Sequence, residues 1–281
     1  MYTEQINKKD IWNPCFYKHF PGFSCILPLW KQQAAYFPYS WPQVEDYNVI
    51  AKEQRNRISF IAQHNEARYE WEIYHRRRVM TRECSWHDFF NNLTWLSFPK
   101  LKWAIVKKVC EEFPSETIKV RNSRQNLLAH FDECGMVICS DKSSIFDDIK
   151  AFRWKKLFFE TPFLQQHCLP VLMGHGMLEK ALNPYIGMTA KAILLQVPSD
   201  FFALSGMAQL KYVDEEIANF IQSPEFPNSP QALQPFPILG WPTWYQENQQ
   251  ECFYENTNYF RTQRKLKEPV DLMVLSGKDI F

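Results

Sequence analysis

No stretch of this 281-residue chain approaches the ~18 consecutive apolar residues that a membrane span requires, and the opening from Met1 to Trp12 is polar, without the apolar core of a signal peptide. A protein that neither crosses a membrane nor leaves by that route is expected, which makes it soluble and cytoplasmic. Paired cysteine motifs are missing too. The eight cysteines, at 15, 25, 84, 110, 134, 139, 168 and 252, form no Cys-x-x-Cys, which excludes a zinc ribbon and a thioredoxin-type redox site and leaves reduced thiols as the simplest reading. Charge of one sign is not in excess. Thirty-two Lys plus Arg face 31 Asp plus Glu, a formal net charge of +1, so no global field draws the chain to nucleic acid or to an acidic membrane surface. Gly-x-Gly-x-x-Gly, Walker and Gly-x-Ser-x-Gly patterns are absent, as are internal repeats.

What is present is globular: 46% hydrophobic and 22% charged residues allow a sizeable core without staples, and 16% aromatics, with ten Trp and 23 Phe, predict a core rich in packed rings. The pattern predicts an α+β protein, a single compact domain over 1–281 in which helices pack with short antiparallel strands. Five prolines in residues 1–45 predict an extended wrapping arm with one short helix near Leu29 to Tyr36. A helix is expected from Asp46 toward Asn65, then a strand over Ala67 to Tyr74, where Tyr69, Trp71 and Ile73 alternate with charged residues. Ser85-Trp86-His87-Asp88 is a Ser-x-x-Asp helix start, and Pro99 opens a second helix toward Phe113. Asp132-Glu133-Cys134-Gly135 between two apolar runs predicts a hairpin, and a capped helix is expected from Ser144 to about Phe158. A strand near Cys168 to Leu172 leads into Gly174-His175-Gly176 and a helix. Ala190 to Val197 fits strand or buried helix, and another helix ends near Ile221. Residues 223–264 are Pro-rich but too apolar to stay in water, so they are expected to pack on the body, with 265–281 as a loose tail.

The run Trp86-His87-Asp88-Phe89-Phe90-Asn91-Asn92-Leu93-Thr94-Trp95-Leu96-Ser97-Phe98-Pro99 resembles the signature of a bacterial family catalogued as domain of unknown function 3025. Arg121-Asn122-Ser123-Arg124 leading to His130-Phe131-Asp132-Glu133-Cys134-Gly135, the block Gly174-His175-Gly176-Met177-Leu178-Glu179-Lys180, and Pro237-Ile238-Leu239-Gly240-Trp241-Pro242 are similar to further blocks of it. His130 stands where that family's pattern suggests a hydroxyl or apolar residue. The resemblance implies no activity.

Chemistry is therefore read from side chains. His175 and Glu179, at i and i+4 on one helix face, together with His87, form a ligand set for a divalent metal ion, with Asp88 or Asp132 as base or as orienter of a ligand imidazole. Against this, a His near a helix start often only bonds a neighbouring carboxylate, and Asp88 already has a capping position. Gly174 and Gly176 fit an anion-binding turn or simply a tight one, and Arg121 and Arg124, with Arg76 to Arg78, are candidate phosphate contacts. The leading expectation is a metal-assisted hydrolase of a small phosphorylated or acyl substrate. The alternative is a non-catalytic nucleotide- or RNA-binding protein, with an assembly role third.

Overall fold

The computed structural model describes residues 11–33, 39–64, 68–112, 121–263 and 274–278. Expectations that fall on 1–10, 34–38, 65–67, 113–120, 264–273 and 279–281 lie outside them. In chain order the elements are α1 (Leu27–Gln33), α2 (Val44–Glu53), β1 (Ser59–Ala62), α3 (Tyr69–Arg76), β2 (Arg78–Thr81), α4 (Trp86–Ser97), α5 (Pro99–Glu111) and α6 (Ser123–Cys134). There follow β3 (Gly135–Ser140), α7 (Ser143–Lys150), α8 (Leu164–His167), β4 (Cys168–Leu172), α9 (His175–Lys180), β5 (Thr189–Gln196), α10 (Gly206–Gln222), β6 (Gln234–Pro237) and β7 (Val274–Ser276). This is an α+β protein. Its main sheet runs β4-β3-β5-β6 with β7 on β5, and β1 pairs β2 separately. The pairings β3–β4 and β5–β6 are antiparallel, as expected, while β3–β5, β5–β7 and β1–β2 run parallel. Every residue of β3 is buried, as befits a central strand covered on both faces. Among the described residues no helix is long and apolar enough to cross a membrane.

Several expectations are corrected. The segment read as a strand near Tyr69 to Tyr74 is the helix α3, because its buried face is Glu72 and Ile73 and not an alternating set. Glu72 is carried inward by ion pairs with Arg76 at 3.1 Å and Arg78 at 3.7 Å, so a charge occupies a position that alternation assigns to water. The hairpin over 132–135 does not form. Asn122 and Gln125 make a reciprocal capping box, each side chain accepting the other's amide at 2.8 and 2.9 Å, and start a helix that runs through Cys134 straight into β3. The helix expected from Ser144 to Phe158 ends at Lys150. Phe152 turns left-handed at φ 56°, and a separate π-helical turn covers Lys156–Glu160. Ala190 to Val197 is strand, within β5 for all but its last residue. The tail is not wholly loose, since β7 pairs in parallel with Leu194 to Gln196.

The N-terminal arm and the Pro-rich segment both pack on the body. Phe16, Phe20, Phe23 and Trp30 of the arm and Phe236, Ile238, Leu239 and Trp241 of the late segment are buried in one continuous core. In the late segment, side chains take the place of a sheet ladder. The Asn248 amide donates to the carbonyls of Leu239 and Trp241, and Tyr259 accepts the Leu239 amide while donating to the Met188 carbonyl.

α5 has no side-chain cap of its own. Asp214 of α10 supplies one across the core, its carboxylate accepting the amides of Leu101 at 2.8 Å and Lys100 at 3.2 Å. Burial pushes the Asp214 carboxyl up to about 6, against the pull of those two amides. Because the folded pKa lies above the unfolded one, the native state binds the extra proton between about pH 4 and 6, and stability falls as pH rises through that window. The stability difference between wild type and Asp214→Asn, read by denaturant unfolding, is expected to shrink by up to about 3 kcal/mol from pH 4 to pH 6.5. A pH-independent difference would show that this carboxyl is not raised.

Candidate metal centre and its cavity

Three segments distant in sequence meet at one corner. Ser85 caps α4, its hydroxyl accepting the Asp88 amide at 3.3 Å, which fixes the first turn carrying His87 and Asp88. Trp86 is held by rings of the arm, with Trp12 stacked on it at 5.3 Å and Trp41 edge-on at 4.7 Å, so the start of α4 is immobilised from behind. The other two segments are joined by the sheet. The antiparallel register that pairs Met136 with Leu172, carried three residues outward, sets Glu133 at the end of α6 opposite His175 at the start of α9.

Glu133 lies between two imidazoles. Its Oε2 is 3.2 Å from His175 Nε2 and 3.7 Å from His87 Nε2, and the two rings meet edge to face at 4.6 Å between centroids. One ligand atom from each of His87, Glu133 and His175 falls within 4.8 Å of the others, a separation that can close around a divalent ion. Gly176 makes this possible, since a Cβ there would overlap the Glu133 carboxylate. Gly174 serves a second close approach, to the backbone of Cys134 and Gly135. The two glycines are thus accounted for by packing, and α9, six residues long, is too short to make an anion site of its N-terminus.

Each imidazole is backed by a carboxylate. Asp88 Oδ1 lies 3.1 Å from His87 Nδ1, and the same carboxylate accepts the Arg82 amide at 2.6 Å and the Arg82 Nη2 at 2.7 Å. Donation from Nδ1 to Asp88 leaves His87 Nε2 facing Glu133. The hydrogen bonds to Asp88 and Glu133 outweigh burial and raise His87 to about 9. Burial alone would raise Asp88, but His87 and Arg82 overcome it and hold the carboxyl at about 2. Glu133 is pulled well below the carboxylate range by hydrogen bonds from His175 and His87. Behind His175, Asp132 Oδ2 lies 3.9 Å from Nδ1, a buried atom with no hydrogen-bond partner. Asp132 Oδ1 accepts Lys102 Nζ at 2.5 Å, and that ammonium also donates to Asn91 at 2.9 Å. Burial favours a protonated Asp132, yet Lys102 and His175 prevail and keep its pKa low.

The cluster opens into a cavity of about 850 Å³ that runs between α5 and α6, past Trp95, Ile105, Val106, Ala129 and Gln125, to Arg121 and Glu70. His87, His175, Asp88 and Asp132 all line this cavity. Glu179, half-buried one turn along α9, is not among the three residues within ligand reach; Glu133 stands in its place. Arg121 is exposed and pairs with Glu70 at 3.2 Å, and Arg124 is held by Glu112. Glu133 and Lys102 are the functional candidates the sequence reading missed. The signal for Glu133 was the Asn122-x-x-Gln125 box, which starts a helix whose last turn carries it. Lys102 left none, because a lysine on an amphipathic helix reads as solvent-facing.

A family model described as protein of unknown function (DUF3025) matches residues 58–264, the span that contains every residue of this cluster. No curated protein and no solved structure matches the chain.

Lys102 is nearly fully buried beside a partly exposed Asp132. Lys102→Met is expected to destabilise the fold by about 2–3 kcal/mol by leaving that carboxylate uncompensated, and adding Asp132→Asn should recover part of the loss. Strict additivity in urea unfolding would show that the pair is not coupled.

Proposed function

The chain belongs to the DUF3025 family, which brings no activity with it, and from its own geometry we propose a metal-dependent hydrolase of a small phosphorylated or acyl substrate. The observation that supports this is the convergence of two imidazoles on one carboxylate oxygen. Both His87 and His175 turn Nε2 to Oε2 of Glu133, and His87 Nδ1 is bonded by Asp88 at 3.1 Å, while Asp132 stands 3.9 Å from His175 Nδ1, beyond hydrogen-bond reach. An outer carboxylate such as Asp88 fixes the tautomer of a ligand imidazole and raises its basicity. A two-His, one-carboxylate set leaves positions open for water and substrate.

His87, Glu133 and His175 would hold the divalent ion, which would supply a water of lowered pKa and polarise the group under attack. The remaining roles fall to the protein. Asp88, already engaged by four donor atoms of Arg82 and His87, is an orienter and not a base. Asp132 is the base: Lys102 keeps it ionised, and it lines the cavity. Water's oxygen adds to the carbonyl or phosphoryl centre, its proton passes to Asp132, the bond to the leaving group breaks, and that proton goes on to the leaving group. Hydrolysis is preferred to nucleotide or RNA binding because, of the arginines that binding would use, Arg76, Arg78, Arg121 and Arg124 each engage a carboxylate and Arg77 lies over the Trp103 ring. We place the protein in the cytoplasm, where its eight free cysteines suit a reducing environment.

Protein purified without an affinity tag and titrated with Zn²⁺, Mn²⁺ or Fe²⁺ is expected to take up about one equivalent. His87→Ala, His175→Ala and Glu133→Gln should each weaken uptake more than tenfold, Asp88→Asn by roughly 10- to 100-fold, and Glu179→Gln little. Gly176→Ala should weaken it as well, by displacing Glu133. Uptake that is absent, or unchanged in all three ligand variants, removes the metal reading.

A further inference from the structure

We propose that the cavity between α5 and α6 receives the aliphatic acyl group of a carboxylic ester or amide, with the carbonyl at His87, Glu133 and His175. This rests on the hydrolase reading above and decides between its two substrate classes. α5 and α6 run antiparallel, tied at one end by Lys102 to Asp132 and at the other by Gln125 Nε2 donating to the Val109 carbonyl at 3.3 Å. Between the ties, the face of α5 turned to the cavity continues from Lys102 over Ile105 and Val106 to Val109, about 10 Å along the helix. On α6 the small side chain of Ala129 lines the same cavity. The cavity is therefore charged at the ligand cluster, aliphatic along its α5 wall, and polar again at its far end, where Gln125, Arg121 and Glu70 line it.

The lining also disfavours a phosphate ester. Its arginines and lysine are all held by acids: Arg82 by Asp88, Lys102 by Asp132 and Arg121 by Glu70. Glu133 then adds a carboxylate beyond those three pairs. Among the described residues a dianionic monoester would meet no unengaged arginine or lysine there and would depend on the metal ion alone for its charge, whereas phosphate sites also present arginine or lysine donors free to bond the oxygens. An acyl carbonyl carries no charge to neutralise, and its chain gains from the aliphatic wall. Hydrolysis joins water's hydroxyl to the acyl carbon and its proton to the alcohol or amine, so a carboxylate is one product and probes the same channel.

The test is calorimetric titration of metal-loaded protein with acetate, butyrate, hexanoate and inorganic phosphate, with metal content measured on the same samples. Each methylene that enters the channel should tighten binding by up to about fourfold, so hexanoate should bind at least about tenfold tighter than acetate or phosphate. Ala129→Leu should abolish the gain with chain length, and Ala129→Gly should keep it. Affinity independent of chain length, phosphate bound more tightly than hexanoate, or the same length dependence in Ala129→Leu overturns the proposal. Repeating the series without metal separates the two readings. If no metal is taken up, the hydrolase reading fails, and the chain-length series alone then decides whether the channel accepts acyl groups.

Discussion

The carbonyl of Gly135 accepts the amides of both Met173 and Gly174, and the candidate centre depends on that backbone contact. It lies at the edge of the β3–β4 ladder, where the chain enters one strand from α6 and leaves the other for α9. A Cβ on Gly135 would collide with the Phe131 carbonyl at the end of its own helix, and one on Gly174 would overlap the facing backbone of Cys134 and Gly135 and force the two helix ends apart. Because they are not, Glu133 and His175 stand across from each other at a distance set by a strand pair and not by a loop. A site positioned in this way is held by the sheet's own hydrogen bonds, which is the rigidity that convergent ligands require.

α4 brings the third group and is steadied from both sides. Arg82 clasps Asp88 through its amide and its guanidinium, while the arm's Trp12, Trp41 and Phe16 crowd Trp86. The arm's role is thus specific: its rings fix the orientation of the turn that presents His87. The irregular Pro-rich segment does comparable work at the far side of the sheet, where Tyr254 and Asn248 satisfy carbonyls that no strand reaches.

The charges around the cavity form a sequence of neighbours and not a field. Arg82, Asp88, His87, Glu133, His175, Asp132 and Lys102 follow one another with alternating or compensating sign. Acids next to cations stay ionised despite burial, so Asp88 and Glu133 are held low while His87 is held high. Asp214, whose burial outweighs two backbone amides and the Lys100 charge, goes the other way.

Composition and local pattern were enough for the α+β class, the ring-rich core, the Ser85 cap, the Pro99 helix start and the inward packing of residues 223–264, because caps, proline and hydrophobic balance act within a few residues. His87, His175, Asp88 and Asp132 were singled out as candidates from residue type and helix position, and the fold brings all four to one cavity. The misreadings have separate causes: Glu72 is a charge buried by Arg76 on its own helix and Arg78 on the next strand, Lys102 is one buried by Asp132 thirty residues on, and α6 and β3 join without the loop that sequence punctuation signals. That Glu133 and not Glu179 lies beside both imidazoles could not be read from helical spacing. It belongs to the strand register, which joins residues 42 positions apart, and to the missing side chain of Gly176, and both are properties of the folded chain alone.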